Sequence, residues 1–295
     1  MAKIGVAVIS GVRGGAFVSL IQSFARGMKS IRSVLCSQRI AVLLAEDRHQ
    51  RPKSLTPFGF KAYSQSDEDG IIQEIFRRIG VTNRSFVEFG CGDGLENNTV
   101  YLLMQGWTGL WMDGNEKEIR SISNLHKAFI EMKSLRVRSA MVTCENIEGL
   151  LDGVPAEPDL LCIDIDNNDY WIWSAIGTIH PRVVVIEYNA TIRPPVAVVI
   201  PYSPHKGWSG GSYFGASLSA LEMLGRKKGY SLVGCNLVGT NAFFVRDDLV
   251  GEKFLSPYTA EMHYEPPEYY LFQFLTGAHP RTIGVYEQLD ERKTL

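Results

Sequence analysis

Apolar residues recur along the chain in short bursts, and from about residue 64 these bursts alternate with stretches of helical spacing. The segment EDGIIQEIFRRIG sets Ile71, Ile72, Ile75, Phe76 and Ile79 on one helical face, with Glu68 and Asp69 in the first turn and Gly80 as the stop signal. Strands are predicted at SFVEFG (85–90), GLWMDG (109–114), LRVRSAMVT (135–143), DLLCIDID (159–166), RVVVIEYN (182–189), YSLVGCN (230–236) and NAFFVRD (241–247). Helical patterns fill 99–105, 117–129, 147–151 and 215–229, whereas only LVGT separates the last two strands. Alternation followed by a hairpin predicts an α/β fold: a doubly wound, Rossmann-like, mostly parallel sheet with one antiparallel strand near its edge. Ligands of such sheets lie at the carboxyl ends of the strands, so the residues there are the candidates for function.

The first strand runs into FGCGDGLENNT, in which Gly90, Gly92 and Gly94 are spaced G-x-G-x-G. A dinucleotide turn needs a small residue where this chain has Leu95, and Glu88 would repel a pyrophosphate, so a nicotinamide oxidoreductase is disfavoured. The turn suits a zwitterion with a cationic centre: main-chain amides and the helix start receive a carboxylate, while Glu88 and Asp93 favour an ammonium or sulfonium. Asp113, at the end of the second strand, is placed to take the two hydroxyls of a ribose. Together these features point to S-adenosylmethionine.

Several blocks resemble the FkbM-type class I S-adenosylmethionine-dependent methyltransferases, especially members associated with bacterial glycan and capsule loci. They are YSQSDEDGIIQEIFRRIG, FVEFGCGDGLENNTVYLL, DLLCIDIDNNDYWIW, PRVVVIEYN, SYFGASLSAL and GYSLVGCNLVGTNAFFVRDD, within residues 60–250. The resemblance implies a seven-stranded sheet of order 3-2-1-4-5-7-6 with strand 7 antiparallel. It also implies a cofactor site of Glu88, Gly90, Gly92, Gly94 and Asp113, which Ser64 and Gln65 help to enclose.

The fourth strand ends in Asp164, Asp166 and Asp169, and the fifth in Glu187 and Asn189. A buried strand end does not tolerate so many acids without partners. Asp164, Asp166, Glu187 and Asn189 are therefore a candidate set for Mg²⁺ or another divalent cation, which would lower the pKa of a sugar hydroxyl. The alternative is that Asp164 orients the acceptor and Asp166 and Asp169 cap the next helix. Asp166 and His205, the latter in the Pro/Gly-rich loop PYSPHKGWSGGSYFG, are the candidate general bases. Trp171, Trp173, Trp208 and Tyr213 are candidates to stack on a sugar. The expected reaction is O-methylation of a sugar hydroxyl on a glycan or activated sugar. A nitrogen or carboxylate acceptor, or a non-catalytic binding module on the same sheet, is the alternative.

Composition narrows the setting. The net charge of −2 over 295 residues argues against bulk binding of nucleic acid. Cys36, Cys91, Cys144, Cys162 and Cys235 form no CxxC pair, which fits a reducing, cytoplasmic location and gives no sign of a cysteine zinc site. Residues 1–55 are a basic helical extension expected to pack on the domain or on a second subunit; attraction to anionic lipid at the inner membrane surface is the alternative. Residues 56–250 are the expected methyltransferase domain. The aromatic-rich residues 251–295 are expected to cover apolar surface over the site or at a subunit contact.

Overall fold

The structure is a computed structural model; it describes residues 13–272 and 278–290, with side chains from residue 21 onward. The apolar stretch 4–12 and Lys3 lie outside the described residues, as does the end of the aromatic segment at 273–275. The chain divides into two compact units, Met1–Ala45 and Glu46–Leu295. The described part of the first is a helix, α1 (Arg13–Leu44), which carries no acidic residue. Its exposed large apolar residues include Ile21, Phe24, Met28, Ile31, Leu35 and Val42. No described helix is long and apolar enough to cross a membrane.

The second unit begins its regular structure with α2 (Glu68–Ile79), then β1 (Ser85–Phe89), α3 (Val100–Met104), β2 (Thr108–Asp113), α4 (Glu116–Leu125), α5 (Lys127–Glu131) and β3 (Leu135–Ser139). There follow α6 (Ile147–Leu150), β4 (Leu160–Ile163), α7 (Asp169–Ala175), β5 (Val183–Glu187), β6 (Val198–Val199), α8 (Leu218–Lys227), β7 (Tyr230–Cys235) and β8 (Asn241–Arg246). The chain closes with α9 (Asp247–Val250), α10 (Ala260–His263) and β9 (Glu287–Gln288). Seven strands form one sheet of order β3-β2-β1-β4-β5-β8-β7, while β6 and β9 pair separately. Neighbours are parallel except at β8, which runs antiparallel to both β5 and β7. This is the expected class I methyltransferase order once the short β6 is discounted.

Burial on both faces explains why the central strands read as unbroken apolar runs. Val87, Phe89, Leu161 and Ile163 pack with Ile172 and Trp173 of α7 and with Leu221 of α8. Their alternates, Phe86, Leu160 and Cys162, pack with Ile71, Ile72 and Ile75 of α2. The amino end of the sheet is pinned by Asp159, which is fully buried. It accepts from the amides of Thr82, Asn83 and Arg84 and pairs with Arg182 at 2.7 Å. Burial pushes its carboxyl up, but Arg182 and these donors hold it below the usual carboxylate range. Arg182 also donates to the carbonyls of Gly80 and Ile79 at 2.8 and 3.0 Å, closing the end of α2.

Several elements differ from their expected bounds. The predicted 117–129 helix breaks at His126, whose Nε2 donates to the Gly94 carbonyl at 2.8 Å. Residues 140–142 leave the sheet after β3, and β4 ends at Ile163 because Asp169 Oδ1 captures the Ile165 amide at 2.8 Å. Truncating Arg182 to Ala leaves Asp159 buried without its cation. Arg182→Ala is expected to lower stability by about 3–5 kcal/mol in denaturant titration, a loss of the size seen when one partner of a buried pair is removed.

Candidate donor and acceptor cavities

The three glycines of the turn do different work. At Gly90, where φ is +75°, an added Cβ would lie 1.5 Å from the Asp164 carbonyl oxygen. Only glycine lets β1 and β4 approach this closely. Gly94, with φ +80°, packs on Ile122 and His126. Gly92, with φ +49°, has open space where a side chain would be, and its amide donates to Asp113 Oδ2 at 2.9 Å. The other oxygen of Asp113 accepts from the Asn115 amide at 2.7 Å, so the end of β2 and the turn are locked together.

A cavity of about 680 Å³ opens in front of this turn, bounded by Gly90, Gly92, Asp113, Asp164 and Asp166. Met112, Ala140, Met141 and Val142 give it an apolar wall beside Asp113, suited to a flat base next to a ribose. A second cavity of about 210 Å³ adjoins it, and Gln65, Asp164 and Asp166 line both. The second cavity also takes Glu187, Thr240 and four rings: Trp208, Phe214, Tyr269 and His279. The His279 ring lies 4.5 Å from Trp208, 4.9 Å from Tyr269 and 5.7 Å from Phe214, centroid to centroid. A larger hollow of about 910 Å³ beside α8 carries none of the strand-end residues.

Other expected residues sit elsewhere. Glu88 shares the α2 face of β1 with Phe86 and lies beneath the turn, outside both cavities. Its carboxylate accepts from the Asn98 amide at 2.9 Å and from the Thr99 hydroxyl, which Trp111 Nε1 also reaches at 2.7 Å. Burial pushes Glu88 up to about 7 against those hydrogen bonds. Through these bonds it ties β1 to the residues that start α3. Exposed Asp93 accepts from the Leu95 amide at 3.0 Å and also lies outside the cavity lining. Ser64 is fully buried and bound to Asp69, whose Oδ2 gathers the amides of Ala62, Tyr63 and Ser64 at 2.7, 2.7 and 2.8 Å. That clamp presents Gln65, the next residue, to both cavities.

At the smaller cavity, the carboxylates of Asp164, Asp166 and Glu187 make no hydrogen bond or ion pair among the described residues. Burial, then the like charges of Asp169 and Asp166, push Asp164 well above the usual carboxylate range. Burial and Asp164 do the same to Glu187. Asp166, although exposed at its surface, is raised by partial desolvation and by Asp113, and stands at φ +70°, a strained conformation for a non-glycine residue. Asp169, raised by burial to about 7, keeps Oδ2 without a hydrogen-bond partner.

Asn189 turns away from this group. Its amide donates to the Ser212 and Phe214 carbonyls at 2.9 and 3.0 Å, and its oxygen accepts from Thr191. Among the described residues no set of three or more His, Cys, Asp or Glu is arranged to hold a metal ion. The expected donor set therefore does not fit a divalent cation.

His205 is exposed and lines neither cavity, although its neighbours Pro204 and Lys206 line the larger one. Of the expected stacking residues only Trp208 lines the smaller cavity. Trp171 donates to the Ile200 carbonyl at 2.9 Å, Trp173 is buried against Phe244, and the Tyr213 hydroxyl donates to the Val285 carbonyl at 2.6 Å.

Tyr269 and His279 come from a segment in which the sequence marked no site residue. Tyr269 is positioned where the Glu268 amide donates to the Val238 carbonyl at 3.0 Å, and His279 is held by a strap. β9 pairs with β6, the Ser212 amide donates to the Pro280 carbonyl at 2.9 Å, and the Tyr213 amide donates to Thr282 Oγ1 at 2.8 Å. The aromatic density around Tyr269 was a usable signal; nothing in the local pattern marks His279.

No family model and no curated protein sequence matches the chain. Solved structures do match. One is an S-adenosylmethionine-dependent methyltransferase from Clostridium acetobutylicum, with 10% identity and a TM-score of 0.40 over 72% of this chain and 99% of that one. Another is WbdD, a bifunctional kinase-methyltransferase, with 14% identity and a TM-score of 0.38 over 61% of this chain and 38% of that one. A third is the StiE O-methyltransferase segment, with 13% identity and a TM-score of 0.34 over 55% of this chain and 52% of that one. The chain thus spans about half or less of the StiE and WbdD chains it matches. At these values nothing about substrate or chemistry carries across.

Gly90→Ala should unfold the protein or cost several kcal/mol, because the Asp164 carbonyl fills the place of the new methyl group. Gly92→Ala should cost only the roughly 1–2 kcal/mol of a left-handed backbone, as read by thermal denaturation. Glu88 binds its proton more tightly in the folded protein (about 7) than in the unfolded chain (4.5). Its contribution is fully present below about pH 4.5 and is lost as pH rises through about 7, up to about 3 kcal/mol. Melting temperatures of Glu88→Gln should accordingly fall less than those of the wild type across that window.

Proposed function

We propose that the chain is an S-adenosylmethionine-dependent O-methyltransferase that acts on a hydroxyl of a sugar, in a glycan or an activated sugar. The observation that carries this reading is the junction of the two cavities, where Gln65, Asp164 and Asp166 belong to both walls. The FkbM-like blocks support the same reading. Gly92 and Asp113 would hold the adenosine end of the donor, and Asp164 and Asp166 would face its sulfonium.

When bound, S-adenosylmethionine supplies an electrophilic methyl group: the acceptor oxygen bonds to that carbon as the carbon–sulfur bond breaks, and sulfur keeps the electron pair. The protein's part is to align the two reactants and to remove the hydroxyl proton. Asp164 is suited to the second task, because burial and the like charges of Asp169 and Asp166 raise its basicity above that of an ordinary carboxylate. The four rings exclude water from the attacking oxygen. No step runs through a metal ion.

Calorimetric titration with S-adenosylmethionine and transfer of a labelled methyl group to a panel of nucleotide sugars and oligosaccharides test the proposal. Asp113→Ala should weaken donor binding at least about tenfold through the loss of two charge-assisted hydrogen bonds. Asp164→Asn should keep donor binding within about tenfold but lower turnover by about 10²–10⁴. A wild-type protein that does not bind the donor, or an Asp164→Asn variant with full turnover, would overturn the assignment.

A further inference from the structure

The acceptor cavity carries more negative charge than methyl transfer to a neutral sugar calls for. Asp164 and Asp166 line both cavities and are shared with the donor, whose sulfonium brings a single positive charge. Glu187 lines only the acceptor cavity, and among the described residues no Lys or Arg lines it. Behind this lining stands Asp169, fully buried, with one carboxylate oxygen lacking any hydrogen-bond partner. Lys206, the cation on the wall of the donor cavity, has its ammonium 5.4 Å above the Tyr213 ring. Asp164 and Glu187 are half-buried and Asp166 is exposed, so these unpaired carboxylates are open to a ligand in the cavity, and a cation there would offset their mutual repulsion and the buried charge of Asp169.

The remainder of the lining fits such a cation. Trp208, Phe214 and Tyr269 present rings around the same small space. The His279 ring joins them, and burial lowers its basicity. Rings by themselves suit a sugar face as well as a cation. Rings combined with an unpaired Glu187 suit an ammonium.

We propose that the preferred acceptor is an amino-bearing sugar, whose ammonium lies between Glu187 and Asp164 against the rings of Trp208, Phe214 and Tyr269. The inference rests on the methyltransferase reading of the same site. It adds the chemical class of the acceptor: the amine anchors the sugar, and a neighbouring hydroxyl receives the methyl group. Glu187 is then a specificity residue, and acetylation of the amine, which removes the charge, is the modification the site rejects.

The test uses the full chain saturated with S-adenosylhomocysteine at neutral pH and calorimetric titration with the methyl glycosides of glucosamine, N-acetylglucosamine and glucose. The glucosamine derivative is expected to bind at least tenfold more tightly than the other two. Glu187→Gln should reduce that preference to less than threefold while leaving S-adenosylhomocysteine binding unchanged. Equal binding of the three glycosides, no binding of any, or a preference that survives in Glu187→Gln would overturn the proposal. The wild-type comparison decides the matter even if the variant fails to fold. Failure of the donor itself to bind would instead strike the methyltransferase reading, so the two failures are told apart.

Discussion

The carboxyl ends of β1 and β4 meet with no room for a single methyl group between them. The Asp164 carbonyl occupies the place of a side chain at Gly90, and the Asp164 amide reaches back to the Phe89 carbonyl at 3.3 Å. That contact sets the distance between the glycine turn and the acid-bearing loop after β4. Were the strands farther apart, as any larger residue at position 90 would require, the cavities would no longer share a wall. The remaining features of the site are ways of holding the two sides of this contact still.

Buried carboxylates do much of that holding. Asp159 collects the amides entering β1, Asp69 collects those of 62–64, and Glu88 ties the far side of the glycine turn to Thr99 and Trp111. Glu68 joins the start of α2 to the β7–β8 hairpin through Asn236 and Asn241, at 2.8 and 3.1 Å. In each case a short acid satisfies main-chain or amide donors that would otherwise be buried unpaired. The smaller cavity is the exception, since its half-buried Asp164 and Glu187 have no such donors among the described residues.

Periodicity made the sheet legible, because a parallel strand covered on both faces must be apolar throughout and the helices between strands must show one apolar stripe. The glycine turn and Asp113 were legible for a similar reason: spacing along the chain fixes spacing in the turn. The direction of a side chain was harder to read. Glu88 stands next to the glycines in sequence but alternates to the opposite face from Phe89, and Ser64 beside Gln65 turns inward to Asp69. Asn189 follows Glu187 by two residues, yet its amide is consumed by the carbonyls of Ser212 and Phe214. His279 lies on the segment that leads into the pairing of β6 with β9, for which two-residue strands leave almost no sequence signal, and Tyr269 is held by the Glu268 amide on the distant Val238 carbonyl.

Gln65 precedes every strand of the sheet, yet it forms part of the partition between the two cavities. A polypeptide started at β1 would retain all the strands and lose that partition. The smallest portion able to keep the two cavities separate and adjoining must therefore reach back through the Asp69 clamp, which makes a segment outside the Rossmann-like layer as indispensable to the division of the site as the glycines themselves.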